Sequence, residues 1–391
     1  MLGSPPPPAQ RVTKQNWDSP PFNRWSFQHV REILPTATVW RGPGPASTLH
    51  ETPQNLDGMS VQTGDAQPLT LASFLEDSFT DGFLVAHRGA IIYERYLNGM
   101  TPHVPHLAQS VSKSITATLA GILMGRGLID PDAPVEAYVP EFATCGYNCA
   151  TVQQCLDMRS GVKFAEVYTD PDSDVAMLDR ASGWHPLRAP SDPGNVFDCI
   201  LQLKKARPHG GNFEYRSIET DVLAFCMERA TGKRLATLVS EELWQPLGAE
   251  EDAYFTVDPA GYALADGGMN ATLRDFARFG LMHLDGGKFN DRQIVPSQWI
   301  ADCPKGDHAA FGDAKSEVLP DGAYHNKFWI ENARSRAYMA LGVFGQMIYI
   351  DPDAEFLVVK FSTWPEFLSD ARSAATLRVL HTIRAELTAG G

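Results

Sequence analysis

Apolar residues run together or alternate towards both ends of the chain and recur at helical spacing between them. Residues 83–86 and 91–97 are apolar runs that flank a His-Arg-Gly-Ala segment, which predicts a β-hairpin. Residues 327–331, 337–350 and 356–362 predict further strands, the last two separated by an Asp-Pro-Asp turn. These patterns predict one antiparallel sheet built from both ends of the chain.

The helical pattern is clearest just after the hairpin. Ile115, Leu119, Ile122 and Leu123 predict a helix that begins near Ser110 and ends at the Gly-Arg-Gly of 125–127. Shorter helices are predicted at 71–79, 219–229 and from 273, and a final helix at about 370–387. Between 128 and 265 the pattern predicts helices and long loops without a convincing strand pair, and the polar stretch 161–195 is predicted to be a loop that lines a site.

The order of these elements predicts an α+β protein with three parts. Residues 1–65 are rich in Pro, Gly, Ser and Thr and are expected to form an extended arm packed on the body through its aromatic residues. Residues 66–127 and 266–391 are expected to form the sheet domain with flanking helices, and residues 128–265 a mostly helical domain. Ser110 then lies at the junction of the two domains, where pockets commonly form.

Charge and composition narrow the function. The chain has 391 residues, 43% hydrophobic, and a formal net charge of −14, which argues against nucleic acid and anionic membranes as partners. No apolar run approaches the roughly 18 residues that a membrane span needs. The first residues show neither a basic segment nor an apolar one, so no secretory signal is expected and the cytoplasm is the predicted compartment.

The six cysteines include a cluster at Cys145, Cys149 and Cys155. Their spacing does not match a zinc knuckle and no histidine lies nearby, so reduced thiols are expected; a local Cys145–Cys149 disulfide stays open. The histidines show no metal spacing, and no Gly-rich phosphate loop follows a strand. Neither a metal nor a cofactor is expected.

Ser110 and Lys113 are the first candidates for chemistry. Three residues apart at a helix start, they share one face, and the unpaired backbone N–H groups there favour negative charge. A lysine whose pKa is lowered by burial can take the serine proton. Taken alone, the Ser-x-x-Lys pattern also describes a helix cap with a surface lysine. A second element, Tyr215-x-Ser217, follows downstream.

With both elements present, the sequence resembles the serine β-lactamase and penicillin-binding-protein superfamily, in the branch that holds class C β-lactamases, family VIII carboxylesterases and 6-aminohexanoate-dimer (nylon oligomer) hydrolases. Further matching segments lie at 128–141, 245–248 and 267–275. The likeness is strongest to the 6-aminohexanoate-dimer hydrolases and extends to residues 22–25, 109–114, 168–171, 179–184 and 345–346. This resemblance implies a β-lactamase/transpeptidase-like fold.

The resemblance also implies roles for particular residues. Ser110 is the implied nucleophile, with Lys113 and Tyr215 as the acid–base pair and the backbone N–H groups of Ser110 and Val343 as the oxyanion hole. The implied substrate-binding residues are Tyr168 and Asp179 for the amide and its amino group, Ser217 for the lysine or leaving group, Trp329 as a pocket wall, and Asp266. Asp266 stands where the family has His or Asn, and it is expected either to change substrate preference or to share a proton with Asp179. Plainer readings stay open: a loop tyrosine, a helix-capping Asp179 and a core Trp329.

One departure from the superfamily matters. Its third motif, Lys-Thr-Gly, is replaced by residues 340–346, which carry no cationic side chain to hold a β-lactam carboxylate. The leading hypothesis is therefore a serine hydrolase of short linear amides or esters. A carboxylesterase without special amide activity is the alternative; a non-catalytic ligand-binding protein and a β-lactamase or peptidase are disfavoured. The expected partner is a small-molecule substrate, and a homodimer is left open.

Overall fold

The computed structural model describes residues 3–64, 67–315 and 317–389 of the chain. The strands are β1 (Thr36–Val39), β2 (His50–Glu51), β3 (Ser60–Val61), β4 (Leu69–Thr70), β5 (Thr80–His87), β6 (Ala90–Tyr96), β7 (His106–Leu107), β8 (Ala253–Thr256), β9 (Met269–Ala271), β10 (Lys288–Phe289), β11 (Arg292–Gln293), β12 (Ala323–His325), β13 (Phe328–Ile330), β14 (Tyr338–Gly342), β15 (Gln346–Asp351) and β16 (Phe356–Ser362). The helices are α1 (Asn23–Ser26), α2 (Leu71–Asp77), α3 (Val111–Gly125), α4 (Val152–Leu156), α5 (Asp174–Ala181), α6 (Val196–Gln202), α7 (Glu219–Thr231), α8 (Leu235–Val239), α9 (Gln245–Leu247), α10 (Leu273–Leu284), α11 (Ser297–Asp302), α12 (His308–Phe311) and α13 (Asp370–Ala389).

The large sheet joins the two ends of the chain, as predicted. Its strand order is β12-β13-β14-β15-β16-β5-β6-β2, and every pair is antiparallel except β2 with β6. The predicted hairpin is β5 with β6, and β5 also pairs with β16 near the C-terminal end. The strands that were expected to come together from distant parts of the sequence therefore lie side by side in the middle of the sheet.

Helices cover both faces of this sheet. Leu71 of α2 and Leu380 of α13 pack with Val358 on one face, so the two helices expected to cover the sheet do so. Ile115 of α3 and Ala277 of α10 share the opposite core with Leu357. At Gly280 the approach of α10 to the sheet is so close that a Cβ atom would lie 2.3 Å from Leu357. Burial of these apolar faces is the main source of stability for the layered arrangement.

A second sheet was not predicted. Its order is β1-β8-β9-β7, so the N-terminal arm and the middle segment each contribute a strand. The expected extended arm thus also contributes a strand, and its Trp17 and Phe27 are fully buried. Strands of two to four residues are too short for a visible alternation of apolar and polar positions.

Two further expectations need correction. The apolar run 337–350 forms two strands, because the chain turns sharply at 343–345, where Phe344 and Gly345 have φ values of 62° and 88°. Glycine is required at the second position, since a Cβ atom on Gly345 would lie 2.3 Å from the Trp364 ring. The stretch 161–195 is not a continuous loop, because it contains α5.

Other expectations concern the chain as a whole. Within the described residues, none of the helices is long and apolar enough to cross a membrane. All six cysteines are unpaired, so the local disulfide is not formed. In residues 128–265 the regular elements are helices, with β8 as an exception, and long loops connect them. The three-part division, the homodimer and the cytoplasmic location stay predictions.

Candidate active site

The turn that carries Ser110 is held by the second sheet. The Ala108 N–H donates to the Met269 carbonyl at 2.8 Å, and the chain then turns at Gln109, whose φ is 50°. Ser112 secures the turn from inside, since its hydroxyl donates to the Gln109 carbonyl at 2.6 Å and accepts from the Met269 N–H at 3.0 Å. Ser110 is thereby fixed at the first turn of α3.

Lys113 is buried beneath Ser110. Its ammonium lies 2.7 Å from the Ser110 Oγ and 2.6 Å from the Asp266 carbonyl oxygen, and 3.9 Å from the Asp266 carboxylate. The side chain is only 2% exposed. The alternative reading of a surface lysine after a helix cap is therefore wrong.

Tyr215 completes this group from the loop that precedes α7. The centre of its ring lies 5.3 Å from the Lys113 ammonium, and Trp329 of β13 stacks on its outer side with ring centres 5.4 Å apart. Trp329 also lines the cavity in front of Ser110 while being 7% exposed. The two readings of Trp329, pocket wall and packed core residue, both apply.

The pKa values of Lys113 and Tyr215 depend on burial and on the charged groups around them. Burial alone would lower the pKa of Lys113, but the charges of Tyr215, Asp266 and Glu166 outweigh burial and the pKa is raised. Burial also raises the pKa of Tyr215, against the effect of the nearby Lys113 charge. Burial therefore does not lower the pKa of Lys113 in this site, and the pKa values of both members of the pair lie above their ordinary values.

Val343 approaches Ser110 from the end of β14. A Cβ atom on the preceding Gly342 would lie 2.8 Å from the Ala108 carbonyl oxygen, which shows how closely this strand end meets the turn before α3. The Phe344 N–H is engaged by the Phe367 carbonyl at 2.8 Å. Ser110 and Val343 line the same two cavities.

Glu166 is a central residue that the sequence analysis missed. Its carboxylate accepts hydrogen bonds from the Ser217 N–H at 2.7 Å, from the Ser217 hydroxyl at 2.6 Å and from the Tyr168 hydroxyl. Ser217, expected to contact the lysine or leaving group, is therefore held by Glu166. The available signal was an acid two residues before Tyr168, inside the polar stretch predicted to line a site.

Acidic residues collect on one side of Ser110. Asp18, Asp179 and Asp266 line a narrow cavity of about 40 Å³ together with Ser110 and Tyr168. Burial, with the Asp18 charge next in effect, raises the pKa of Asp179 to about 8. Asp179 lies inside α5, whose cap is Ser173, so the helix-cap reading is wrong.

Asp266 lies buried beside Lys113. Burial raises its pKa, although the Lys113 charge opposes the rise, and its buried Oδ1 has no hydrogen-bond partner among the described residues. Burial and the Asp266 charge together hold the pKa of Asp221 well above its usual range. The Asp266 charge also contributes to the raised pKa of Asp179, with a smaller effect than burial and the Asp18 charge.

A larger cavity of about 540 Å³ also opens at Ser110. Most of its lining is aromatic or aliphatic and comes from Phe213, Tyr215, Trp329, Leu341, Met347 and Trp364. The structure therefore brings the predicted Ser110, Lys113, Tyr215, Val343, Tyr168, Asp179, Ser217, Asp266 and Trp329 around one centre with two unequal cavities.

Comparison with known proteins agrees with this geometry. The β-lactamase family model matches residues 75–383. The 6-aminohexanoate-dimer hydrolase of Paenarthrobacter ureafaciens is 37% identical over 360 residues, which cover 92% of this chain and 90% of that protein.

Two solved structures extend the comparison. A Bacillus anthracis protein assigned as a 6-aminohexanoate-dimer hydrolase superposes with a TM-score of 0.90 at 32% identity, over 98% of this chain and 99% of its own. A family VIII carboxylesterase shares the fold, with a TM-score of 0.59 at 17% identity over 81% and 95% of the two chains. The resemblance, the fold and the serine-hydrolase class predicted from the sequence are confirmed, and the chain belongs to the β-lactamase family.

Proposed function

We propose that this serine hydrolase cleaves linear amides or esters through an acyl-enzyme on Ser110. The observation that carries the proposal is the 2.7 Å contact between the Lys113 ammonium and the Ser110 Oγ, buried beside Tyr215 and open to two cavities. A nucleophile within hydrogen-bond reach of its proton acceptor is what covalent catalysis requires.

The first half-reaction forms the acyl-enzyme. Ser110 Oγ attacks the scissile carbonyl carbon while its proton passes to the Lys113–Tyr215 pair, which must first have lost one proton. The bond to the amine or alcohol then breaks, and the pair returns the proton to that leaving group. Water adds to the acyl-enzyme in the second half-reaction, which releases the carboxylic acid and restores the Ser110 hydroxyl.

The negative charge that develops on the carbonyl oxygen needs donors. The backbone N–H groups of Ser110 and Val343 are proposed for this role, because both residues border the position in front of Ser110 Oγ. The start of α3 adds the favourable end of a helix dipole. Backbone donors do not depend on the lost Lys-Thr-Gly side chains.

The acidic cavity is proposed to receive the amino end of the substrate's acyl portion. A free ammonium group there would contact Asp179, with Tyr168 beside it and Asp266 and Glu166 nearby. The Paenarthrobacter relative is a hydrolase of 6-aminohexanoate dimer, whose acyl portion ends in such an amino group. A small-molecule amide of this type is the proposed partner.

Ester cleavage without special amide activity is the second candidate. The apolar character of the larger cavity supports it, because an ester's alcohol portion needs no charged partner there. β-Lactam hydrolysis is not proposed, since residues 340–346 carry no cation.

A substrate panel tests the proposal. It holds a nitrophenyl ester, 6-aminohexanoate dimer, a cephalosporin and a D-amino-acid peptide, each with the wild type and with Ser110→Ala. Turnover of the ester or the dimer that vanishes in Ser110→Ala, together with phosphonate labelling of the Ser110 peptide, is the expected result. Labelling that survives the substitution, or efficient turnover of the cephalosporin, would refute the proposal.

A further inference from the structure

The two cavities that meet at Ser110 differ more than tenfold in volume, about 540 Å³ against about 40 Å³. The larger lies in the size range of sites for whole small molecules, while the smaller has room for a few water-sized groups. A bulky portion of a substrate can therefore occupy only the larger cavity while the scissile bond lies at Ser110.

The wall of the larger cavity begins at the reacting groups. Trp329 stacks on Tyr215, and Phe213 meets Trp329 edge-on with ring centres 5.7 Å apart. Leu341 and Met347 lie on the neighbouring strands β14 and β15 and line the same space. An aromatic shelf thus extends outward from the Tyr215 phenol.

The rim of this cavity is also apolar, and it is exposed. Val167 of the middle segment is 49% exposed and Leu368, which precedes α13, is 52% exposed. Both line the larger cavity. Five large hydrophobic side chains are exposed among the described residues, and two of them lie at the opening of this cavity. An apolar ligand bound there would remove both from water.

Charged groups are sparse in this lining. Lys315 lines the cavity, but its ammonium is paired with the Asp370 carboxylate at 3.4 Å. Glu166 is engaged by Ser217 and Tyr168, and Glu214 by Arg216. Among the described residues, the lining therefore offers apolar contact area and no cation without an acidic partner.

We propose that the leaving group of the preferred substrate is a bulky apolar amine or alcohol, aromatic or branched, held in the larger cavity against Trp329 and the Val167–Leu368 rim. This inference rests on the proposed function and adds the substrate class. It assigns the amino end of the acyl portion to the acidic cavity and the apolar leaving group to the larger cavity.

A matched pair of esters tests the assignment. Propyl butyrate and 3-phenylpropyl butyrate share the acyl group and have alcohols of nearly equal acidity, so chemistry at the carbonyl is the same. We expect kcat/KM for the phenylpropyl ester to be at least about tenfold higher, because several additional carbon atoms leave water. Val167→Asp and Leu368→Asp should each lower this ratio by about fourfold or more.

Leu187 supplies the matched control, because it is 50% exposed and lies in the same middle segment but does not line either cavity. Leu187→Asp should leave the ratio unchanged. A ratio near one in the wild type, or a ratio unmoved by the rim substitutions, overturns the assignment even when Ser110-dependent turnover is intact. Absence of Ser110-dependent turnover of both esters contradicts the proposed function instead.

Binding of the alcohols alone tests the assignment of the larger cavity independently of turnover. Trp329 and Trp364 line the cavity, so their fluorescence reports occupancy without turnover. 3-Phenylpropanol is expected to quench the fluorescence of Ser110→Ala at concentrations at least about tenfold below 1-propanol. Equal effects of the two alcohols would overturn the assignment.

Discussion

Two buried lysines lie close together in this protein and have opposite electrostatic behaviour. Lys113 and Lys327 are each 1% exposed. The Lys113 ammonium meets Ser110 and Asp266, and its pKa is raised. The Lys327 ammonium has no hydrogen-bond partner among the described residues, and burial lowers its pKa to about 8, although Glu219 opposes the change.

The difference shows that burial does not by itself decide whether a lysine is charged. Both lysines are almost completely buried and lose their hydration. The charges of Asp266 and Glu166, together with that of Tyr215, raise the pKa of Lys113. The acid that acts on Lys327 is Glu219, whose own pKa is raised to about 7 by burial. Arg216 also competes for Glu219, at 3.7 Å. The lysine that touches the nucleophile therefore has a raised pKa, whereas the lysine that touches no reacting group has a lowered one.

Exchanging each lysine for methionine should give the largest contrast. Lys113→Met removes the group that touches Ser110 Oγ, and we expect kcat/KM for a nitrophenyl ester to fall at least about a hundredfold. Lys327→Met is the matched control, with the same substitution at the same burial, and should lower kcat/KM by less than about tenfold since its ammonium contacts no reacting group. Equal losses of kcat/KM in the two variants would contradict the different roles given to Lys113 and Lys327.

The Lys113–Tyr215 pair gives the next contrast. If the two residues hold and return one proton together, Lys113→Met and Tyr215→Phe should each cost at least about a hundredfold in kcat, and the double variant should lose little more than the worse single one. The measurement is a double-mutant cycle on one ester. Additive losses would show that the two residues act separately.

The next prediction concerns an ion pair between the buried Asp179 carboxylate and an ammonium group that belongs to the substrate instead of to a lysine. Because the Asp179 pKa is about 8, the carboxylate gains charge as pH rises from 7 to 9, while a substrate alkylamine stays protonated. The kcat/KM ratio of a 6-aminohexanoyl ester to its N-acetyl form should therefore increase by up to about tenfold over that interval. Asp179→Asn should make the ratio independent of pH; a ratio that is flat in the wild type contradicts a role for Asp179.

The smallest expected effect comes from Lys327 and concerns the free energy of unfolding. Between pH 8 and about 10.4 the unfolded chain keeps a proton on this lysine that the folded protein has lost, so the free energy of unfolding should rise with pH. The rise belonging to Lys327 is on the order of 1–3 kcal/mol and should disappear in Lys327→Met. Urea unfolding at pH 7 and pH 9.5 measures it, with Lys14→Met, an exposed lysine, as control.

Local patterns made part of this site predictable. Ser110, Lys113 and Tyr215 were identified because two of them share a helical turn and the third lies in a short motif. The hairpin of β5 and β6 and the helix α3 were equally visible, since each has a long apolar pattern. Such features depend on residues close together in the sequence.

Features that depend on distant residues were missed or mistaken. The strands β1 and β8 are short and pair across more than 200 positions, so no local pattern marks them. Glu166 becomes central only because the fold brings Ser217 to it. The direction of the Lys113 pKa shift could not be read from the sequence, because the raising charges belong to Tyr215, Asp266 and Glu166, which come from distant parts of the chain.

The pH dependence of kcat/KM tests the charge state of Lys113 most directly. Because the pKa values of Lys113 and Tyr215 are both raised, the pair loses its first proton only in alkaline solution, and log kcat/KM for a nitrophenyl ester should climb with a slope near one from neutral pH to at least about pH 9. Asp266→Asn removes a carboxylate 3.9 Å from the ammonium and should move this rise to lower pH. A wild-type profile that is already flat at neutral pH, or a rise that Asp266→Asn leaves in place, would contradict a lysine held charged by its acidic neighbours.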